Sequence, residues 1–254
     1  MISKTGTNWE SPPPHLSLKA NDLHVWRLPF PELTGWVEDA AVILSEDEQS
    51  KAERFRFEKD RTQSILSRGA LRTLLSRYLG VDPAAVHFKY SPADKPELAD
   101  PVPHLGHPFS FNLSHSGDFA LIAIAGLPVV GIDVESIRPD FATAETAARF
   151  FSPLEVRLLF SLPVQDQSAA FFECWSRKEA YIKAVGDGLS IPLDSFDVEF
   201  RPGEPARVLA VRGNTEASSW WMGAIDVHEG YAAAVVCSAE PLRIAYFDFP
   251  KMPR

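Results

Sequence analysis

The segment FSFNLSHSGDFALIAIAG, residues 109–126, has the pattern of a strand, a polar turn and a second strand. It begins with alternating apolar and polar residues, passes through a polar run at residues 114–118, and continues as an apolar stretch from Phe119. Two runs of this kind separated by small polar residues are typical of a β-hairpin. We therefore predict two strands joined by a polar turn at residues 114–118, and we place the motif of residues 112–117 in this turn.

Upstream of this hairpin the pattern changes from strand to helix. LHVWRLPF predicts a first strand, and Ser45 with Glu48 has the spacing of a capping box that opens a helix. Apolar residues then recur at helical spacing over residues 65–79, and Gly80 is typical of a helix end. These features predict one short and one long helix after the first strand.

The remaining segments continue this order of helices and strands. The proline-rich run at residues 92–108 predicts loops, and residues 168–188 predict a strong helix that ends at its glycines. The other predicted elements are a strand at residues 129–137, short helices at residues 143–151 and 153–160, and the strands FDVEF, ARVLAV, SWWMGAIDV, YAAAVVCS and RIAYFDF.

A weak internal repeat indicates how these elements are grouped. HSGDFALIAIAG and HEGYAAAVVCS share a polar turn with glycine, an aromatic residue and a strand of small apolar residues. We therefore predict an α/β (α+β) chain of two similar halves, residues 21–130 and 131–254. A proline-rich, loosely ordered arm, residues 1–20, precedes them. A site between two such halves would collect side chains from both.

The composition narrows the class of protein. Among the 254 residues, 45% are apolar and 11% aromatic, enough to bury a core, and the formal charge of −9 argues against a general nucleic-acid binder. The two cysteines, Cys174 and Cys237, fit no disulfide framework and no zinc-ligand spacing. No segment has the apolar length of a signal peptide or a membrane span. We expect a cytoplasmic monomer that binds neither nucleic acid nor membrane.

The strand GIDVE places two acidic residues side by side. Since side chains alternate along a strand, Asp133 and Glu135 share one face and Ile132 and Val134 the other. Two neighbouring carboxylates repel each other unless a cation or a proton lies between them. The pair is therefore either part of a cation site or an ordinary solvent-facing strand edge.

The helix WSRKEAYIK carries a further acidic and basic pair. Glu179 and Lys183 are four residues apart and so lie on one helical face. They could form a surface ion pair, worth only ~0.2–0.5 kcal/mol. Alternatively, Glu179 is a third carboxylate and Lys183 a phosphate partner, in a site for Mg²⁺, which prefers oxygen ligands completed by phosphates and waters.

The turn residues NLSHSG suit an anion. The imidazole of His115 and the hydroxyls of its serine neighbours can all donate hydrogen bonds, and Gly117 permits a close approach. An ordinary hairpin turn with a surface histidine is the alternative. A Ser-His-Asp hydrolase is disfavoured, because the chain has no G-x-S-x-G motif and Ser114 directly precedes His115.

The motifs NLSHS, GIDVE, FSPLE and WSRKEAYIKAVGDGL, in this order, closely resemble the Sfp-type 4'-phosphopantetheinyl transferase family. The resemblance runs from about residue 48 to residue 237. It implies two similar α/β halves with coenzyme A bound between them. It also implies the reaction: a serine of an acyl or peptidyl carrier protein attacks the pantetheine-side phosphate of coenzyme A. With Mg²⁺ or Mn²⁺ present, 3',5'-ADP then leaves.

The resemblance also implies roles for individual residues. Asp94 stands where the family usually has glycine, and Glu48 stands at an earlier basic position. The implied general base is Glu179, directly or through a metal-bound water, with Glu155 a lesser candidate. The implied metal ligands are Asp133, Glu135 and Glu179; the catalytic residues are Glu179 and Lys183; the contacts to coenzyme A are Lys51, Ser64, Lys95, Ser114, His115, Asp133, Glu179 and Lys183.

Two other functions share these features. A non-catalytic module that binds a carrier protein or a nucleotide could keep the same fold. A Mg²⁺-dependent nucleotide pyrophosphatase would use the same carboxylates and phosphate contacts, but it would need no acceptor protein.

Overall fold

The structure, a computed structural model, describes residues 6–92, 94–186, 191–212 and 219–250. Its strands are β1 (Asp22–Pro29), β2 (Phe88–Tyr90), β3 (Pro96–Leu98), β4 (Ser110–Ser116), β5 (Phe119–Ala125), β6 (Val130–Ser136), β7 (Phe196–Glu199), β8 (Arg207–Val211), β9 (Trp221–Ala224), β10 (Tyr231–Cys237) and β11 (Arg243–Asp248). Its helices are α1 (Phe30–Leu33), α2 (Val37–Val42), α3 (Glu46–Glu53), α4 (Glu58–Leu79), α5 (Ala144–Phe150), α6 (Pro153–Ser161) and α7 (Val164–Val185).

Two sheets form the framework. The first has the strand order β11-β1-β5-β4 and the second the order β6-β10-β9. The strands β5 and β10, which carry the internal repeat, are each flanked by a neighbour on both sides. The mixed α/β fold with two sheet–helix halves, predicted from the sequence, is confirmed.

The core lies in three layers that follow from strand alternation. On β1, Trp26 and Leu28 face the helices of the first half, whereas Leu23 and Val25 face the second sheet. On β6, Ile132 joins this central layer between the sheets. A third layer packs α7 against the other face of the second sheet. The two sheets therefore lie back to back, each covered by its own helices.

The chain ends cross the predicted boundary between the halves. Strand β11 pairs in parallel with β1, with Ile244 opposite Leu23, so a strand from the second half completes the first sheet. The described part of the arm, residues 6–20, is not loose: the Trp9 indole donates to the Asp226 carbonyl at 2.9 Å, and its ring packs on Tyr246. The boundaries at residues 21–130 and 131–254 remain a prediction.

The central hairpin has a tighter turn than the sequence predicts. Pairing continues from β4 to β5 as far as Ser116 opposite Phe119, so only Gly117 and Asp118 form the turn. Gly117 has φ +60°, a conformation that two-residue hairpin turns require and that glycine adopts without strain. The predicted hairpin and the end of its turn at Asp118 are confirmed, but residues 112–116 belong to β4 and not to the turn.

The other differences from the sequence prediction are short strands and short helices. A small hairpin of β2 and β3 occupies part of the run predicted as loops. Pro96 is tolerated there because it is the first residue of β3. Helices α1 and α2 were not predicted, since neither is long enough to show a helical period. No helix within the described ranges is long and apolar enough to cross a membrane.

A buried ion pair fixes α7 in the second half. The Lys178 ammonium lies 2.8 Å from the Glu155 carboxylate, and neither side chain is exposed. Lys178 also donates to the carbonyls of Leu193 and Phe196 at 2.7 and 2.6 Å. Glu155 accepts from the backbone N–H of Val198 at 2.9 Å and caps α6. The pair therefore joins α6, α7 and β7.

We predict that Glu155→Gln lowers the free energy of unfolding by about 3–5 kcal/mol, because it leaves a buried ammonium without its counter-charge. Denaturant titration would measure the change. Glu58→Gln is the matched control, since Glu58 pairs with Arg61 at 3.5 Å on the exposed face of α4 and should contribute less than ~1 kcal/mol. Equal losses in the two variants would contradict a special role for the buried pair.

Candidate active site

The candidate site lies where the two sheets meet along β4 and β6. Side chains from alternate positions of β4 share one face and bond directly to β6. We call this junction the seam. Its bonds are those of Asn112 Oδ1, which accepts from the Ile132 N–H at 2.8 Å, Ser114 Oγ, which donates to Asp133 Oδ1 at 2.8 Å, and Ser116 Oγ, which donates to Glu135 Oε2 at 2.9 Å.

Helix α7 reaches the seam because Gly131 has no side chain. A Cβ atom at Gly131 would lie 2.2 Å from the carbonyl oxygen of Ala180 and 2.3 Å from the nitrogen of Ala184. Gly131, Asp133 and Glu135 alternate along β6, so α7 covers the strand face that carries both carboxylates.

Lys183 connects α7 to the acidic residues of β6. Its ammonium donates to Asp133 Oδ1 at 2.7 Å and to Ser114 Oγ at 2.9 Å. It makes no ion pair with Glu179, so the surface pair considered from the helical spacing is not formed. Ser114, Asp133 and Lys183 therefore form one hydrogen-bonded cluster drawn from β4, β6 and α7.

Burial and neighbouring negative charge raise the pKa values of the carboxyl groups at the seam. Burial, the Asp133 carboxylate and, to a lesser extent, Glu135 raise the pKa of Glu179 to about 7, against the opposing effect of Lys183. Burial also raises the pKa of Asp133, partly offset by Lys183, and burial together with Asp133 raises the pKa of Glu135. The seam is consequently a place where added positive charge would be stabilised.

The donor set suits a divalent cation that brings further ligands. Asp133 Oδ2 is buried and has no hydrogen-bond partner, although Oδ1 of the same carboxylate has two. Within the described part of the chain, no group of three His, Cys, Asp or Glu side chains is arranged to hold a metal ion. Mg²⁺ commonly binds through one or two carboxylates plus phosphate oxygens and waters. The residues fit Mg²⁺ in that mode, and the ligand set stays a prediction.

An imidazole and a guanidinium from the first half lie near the seam. His115 remains partly open to solvent, and desolvation, followed by Lys183, lowers its pKa; Arg68 acts in the same direction. Arg68, on α4, packs over Phe88 and Tyr90, and its Nη1 is buried without a partner. Sequence reasoning missed Arg68, although it follows Ser64 by one helical turn and so shares its face.

Three other residues are predicted to contact coenzyme A: Lys95, Lys51 and Ser64. Lys95 donates to the carbonyls of Lys183 and Val130 at 2.6 and 3.3 Å, and burial lowers its pKa. Lys51 forms an ion pair with Asp94 at 2.6 Å. Ser64 is half-buried on α4 and makes no hydrogen bond to the other predicted site residues, all of which are described. These three assignments stay predictions.

Two acidic residues named by the sequence analysis have structural roles. Glu48 forms the predicted capping box with Ser45 and pairs with Arg72 at 2.7 Å, both side chains being buried. Its acidic character therefore serves the core of the first half. Glu155 is fully buried and its two oxygens are bonded to Lys178 and to backbone N–H groups, so it cannot reach a substrate as a general base.

The sequences of both halves match families of known proteins. Residues 129–236 match the 4'-phosphopantetheinyl transferase superfamily, and residues 30–126 match the family "4'-phosphopantetheinyl transferase, N-terminal". A solved holo-[acyl-carrier-protein] synthase from Helicobacter pylori, in complex with coenzyme A, is 24% identical over 42% of this chain and 97% of that one, with a TM-score of 0.33.

Two curated relatives extend the likeness over most of the chain. The 4'-phosphopantetheinyl transferase HetI from Nostoc sp. is 40% identical over 200 residues, which is 79% of this chain and 83% of that protein. The 4'-phosphopantetheinyl transferase Sfp from Bacillus subtilis is 32% identical over 210 residues, 82% of this chain and 85% of that protein. The resemblance first seen in four short motifs is confirmed, and this chain belongs to the 4'-phosphopantetheinyl transferase family.

Proposed function

We propose that this enzyme transfers the 4'-phosphopantetheine arm of coenzyme A to a serine of an acyl or peptidyl carrier protein and releases 3',5'-ADP. The observation that carries the proposal is the cluster of Ser114, Asp133 and Lys183, with Asp133 Oδ2 buried and unpartnered beside it. An orphaned carboxylate oxygen next to an ammonium and a hydroxyl is suited to a cation and a phosphate bound together.

The reaction is a phosphoryl transfer, in which alignment and charge stabilisation matter more than covalent catalysis. The serine oxygen forms a bond to the phosphorus on the pantetheine side of the pyrophosphate. The bond from that phosphorus to the bridging oxygen breaks, and 3',5'-ADP leaves with the electron pair. The serine proton passes to a base.

Glu179 is the proposed base. It is half-buried at the seam, and in the protein without a bound cation burial and the Asp133 carboxylate raise its pKa. A carboxylate at this position can accept the serine proton. The assignment also follows from elimination, since Glu155 has no free oxygen within its buried ion pair.

Lys183, Arg68 and the imidazole of His115 would hold the leaving side of the substrate. Lys183 contacts Asp133 directly, and His115 lies close enough to Lys183, Arg68 and Asp133 for their charges to shift its pKa. Lys51 would contact the 3'-phosphate, with Ser64 and Lys95 near the nucleotide end. Asp133, Glu135 and Glu179 would hold Mg²⁺ or Mn²⁺, which supplies charge neutralisation on the pyrophosphate when bound.

The first test measures transfer of the phosphopantetheine arm to a carrier protein. An apo-carrier protein incubated with this enzyme, coenzyme A and Mg²⁺ should gain the mass of one phosphopantetheine arm, measured by intact-protein mass spectrometry. A carrier with its acceptor serine changed to alanine should stay unmodified, and a chelator should stop the reaction. Release of 3',5'-ADP without a carrier would instead show a pyrophosphatase. Coenzyme A binding with neither product, across fatty-acid, polyketide and peptide carriers, would show a non-catalytic module.

Removing one charge tests the cation site. We expect Asp133→Asn to abolish transfer and to weaken Mn²⁺ binding roughly tenfold or more in the presence of coenzyme A, measured by electron paramagnetic resonance. A charge-assisted contact is worth ~1.5–3 kcal/mol, and the nearly isosteric amide keeps the fold. Asp39→Asn, on the exposed face of α2, is the control with the same change in charge. Unaltered Mn²⁺ affinity in Asp133→Asn would refute the assigned ligand.

The residue that sequence reasoning missed provides a separate test of phosphate binding. Arg68→Gln should weaken coenzyme A binding by about tenfold to a hundredfold in isothermal titration, because a cation with an unpartnered N–H is lost beside His115. Arg61→Gln is matched to it: Arg61 lies on the same helix but is exposed and paired with Glu58. If both variants bind coenzyme A like the wild type, Arg68 has no part in the site.

A further inference from the structure

The turn that joins β2 to β3 contains an aspartate in an unusual backbone conformation. Asp94 has φ +59°, and Asn21 is the other described non-glycine residue with positive φ. The left-handed region costs most L-residues roughly 1–2 kcal/mol, and Asp and Asn are among the few that tolerate it. Asp94 thus adopts a conformation that glycine would adopt more easily, and its side chain adds a carboxylate there.

That carboxylate is bound to a lysine of the proposed nucleotide site. Asp94 Oδ2 lies 2.6 Å from the Lys51 ammonium of α3, and both side chains are more than half exposed, at 69% and 52%. The next residue, Lys95, donates to the carbonyls of Lys183 and Val130. Asp94 and Lys95 therefore connect the turn to α3 and to the seam, respectively. The Asp94–Lys51 pair is exposed to solvent.

We propose that Asp94 is a specificity-determining residue, which reduces the enzyme's preference for a donor with a 3'-phosphate over a donor without it. The inference rests on the proposed function, in which Lys51 contacts the 3'-phosphate. A carboxylate and a phosphate compete for one ammonium, and they also repel each other. The 3'-phosphate must either displace Asp94 or bind next to its negative charge. The enzyme should therefore accept coenzyme A analogues that lack the 3'-phosphate with little loss of affinity.

The size of the effect follows from the exposure of the pair. Exposed ion pairs of this kind change an equilibrium constant by a factor of roughly 1.5 to 5. Repulsion between Asp94 and a doubly charged phosphate adds to that factor. We therefore expect removal of the carboxylate charge to increase the preference about three- to tenfold, through tighter binding of the phosphorylated donor alone.

The experiment measures two affinities in each protein. Isothermal titration with coenzyme A and with 3'-dephospho-coenzyme A gives the ratio of dissociation constants for the wild type, Asp94→Asn and the control Asp47→Asn. Asparagine tolerates positive φ, so Asp94→Asn removes the charge while keeping the turn. Asp47 is exposed on α3, the helix that carries Lys51, so its variant makes the same change in net charge on the same element.

Asp94→Asn should bind coenzyme A about three- to tenfold more tightly and 3'-dephospho-coenzyme A as the wild type does, whereas Asp47→Asn should change neither value. An unchanged ratio in Asp94→Asn, or an equal change in Asp47→Asn, would overturn the role of Asp94 and leave the transferase assignment intact. Failure of the wild type to bind either donor would instead overturn the proposed function, and this inference with it.

Discussion

The close contact between α7 and β6 at Gly131 is the constraint on which the site depends. There is no space for a Cβ atom between Gly131 and the helix backbone at Ala180 and Ala184. With the backbones at this distance, Lys183 reaches across to Asp133, and Glu179 comes near enough for the Asp133 carboxylate to raise its pKa. A helix displaced by even one methyl group would lose the directional hydrogen bonds of the cluster.

At the seam, the Lys183 ammonium does not fully balance the neighbouring carboxylates. Lys183 satisfies one oxygen of Asp133 and leaves the other buried and unpartnered. Burial, and then the Asp133 carboxylate, raise the pKa values of Glu135 and Glu179, and the Lys183 ammonium does not offset these two effects. The free energy lost by holding the carboxylates together is recovered when a cation binds. The protein therefore carries a binding site whose stabilisation is incomplete until its ligands arrive, as sites of catalysis often do.

Local patterns in the sequence predicted the parts of the site that depend on neighbours along the chain. Alternation placed Asp133 and Glu135 on one face, and helical spacing placed Glu179 and Lys183 together. What remained hidden depends on contacts between distant segments. The partner of Lys183 lies 50 residues away, and β11 joins a sheet begun more than 200 residues earlier. Arg68 belongs to no motif, so only its electrostatic effect on His115 and its unpartnered Nη1 identify it.

The two halves share a structural device that the strand repeat alone did not reveal. In each half a Ser-x-x-Glu capping box opens a short helix, and the glutamate forms a buried ion pair with a cation on the following 22-residue helix. The pairs are Glu48 with Arg72 and Glu155 with Lys178. Since the same pairing recurs in corresponding places, it anchors each long helix to its own half. On α7, the residue after Lys178 is Glu179, so the buried pair fixes the part of the helix that presents a carboxylate to the seam.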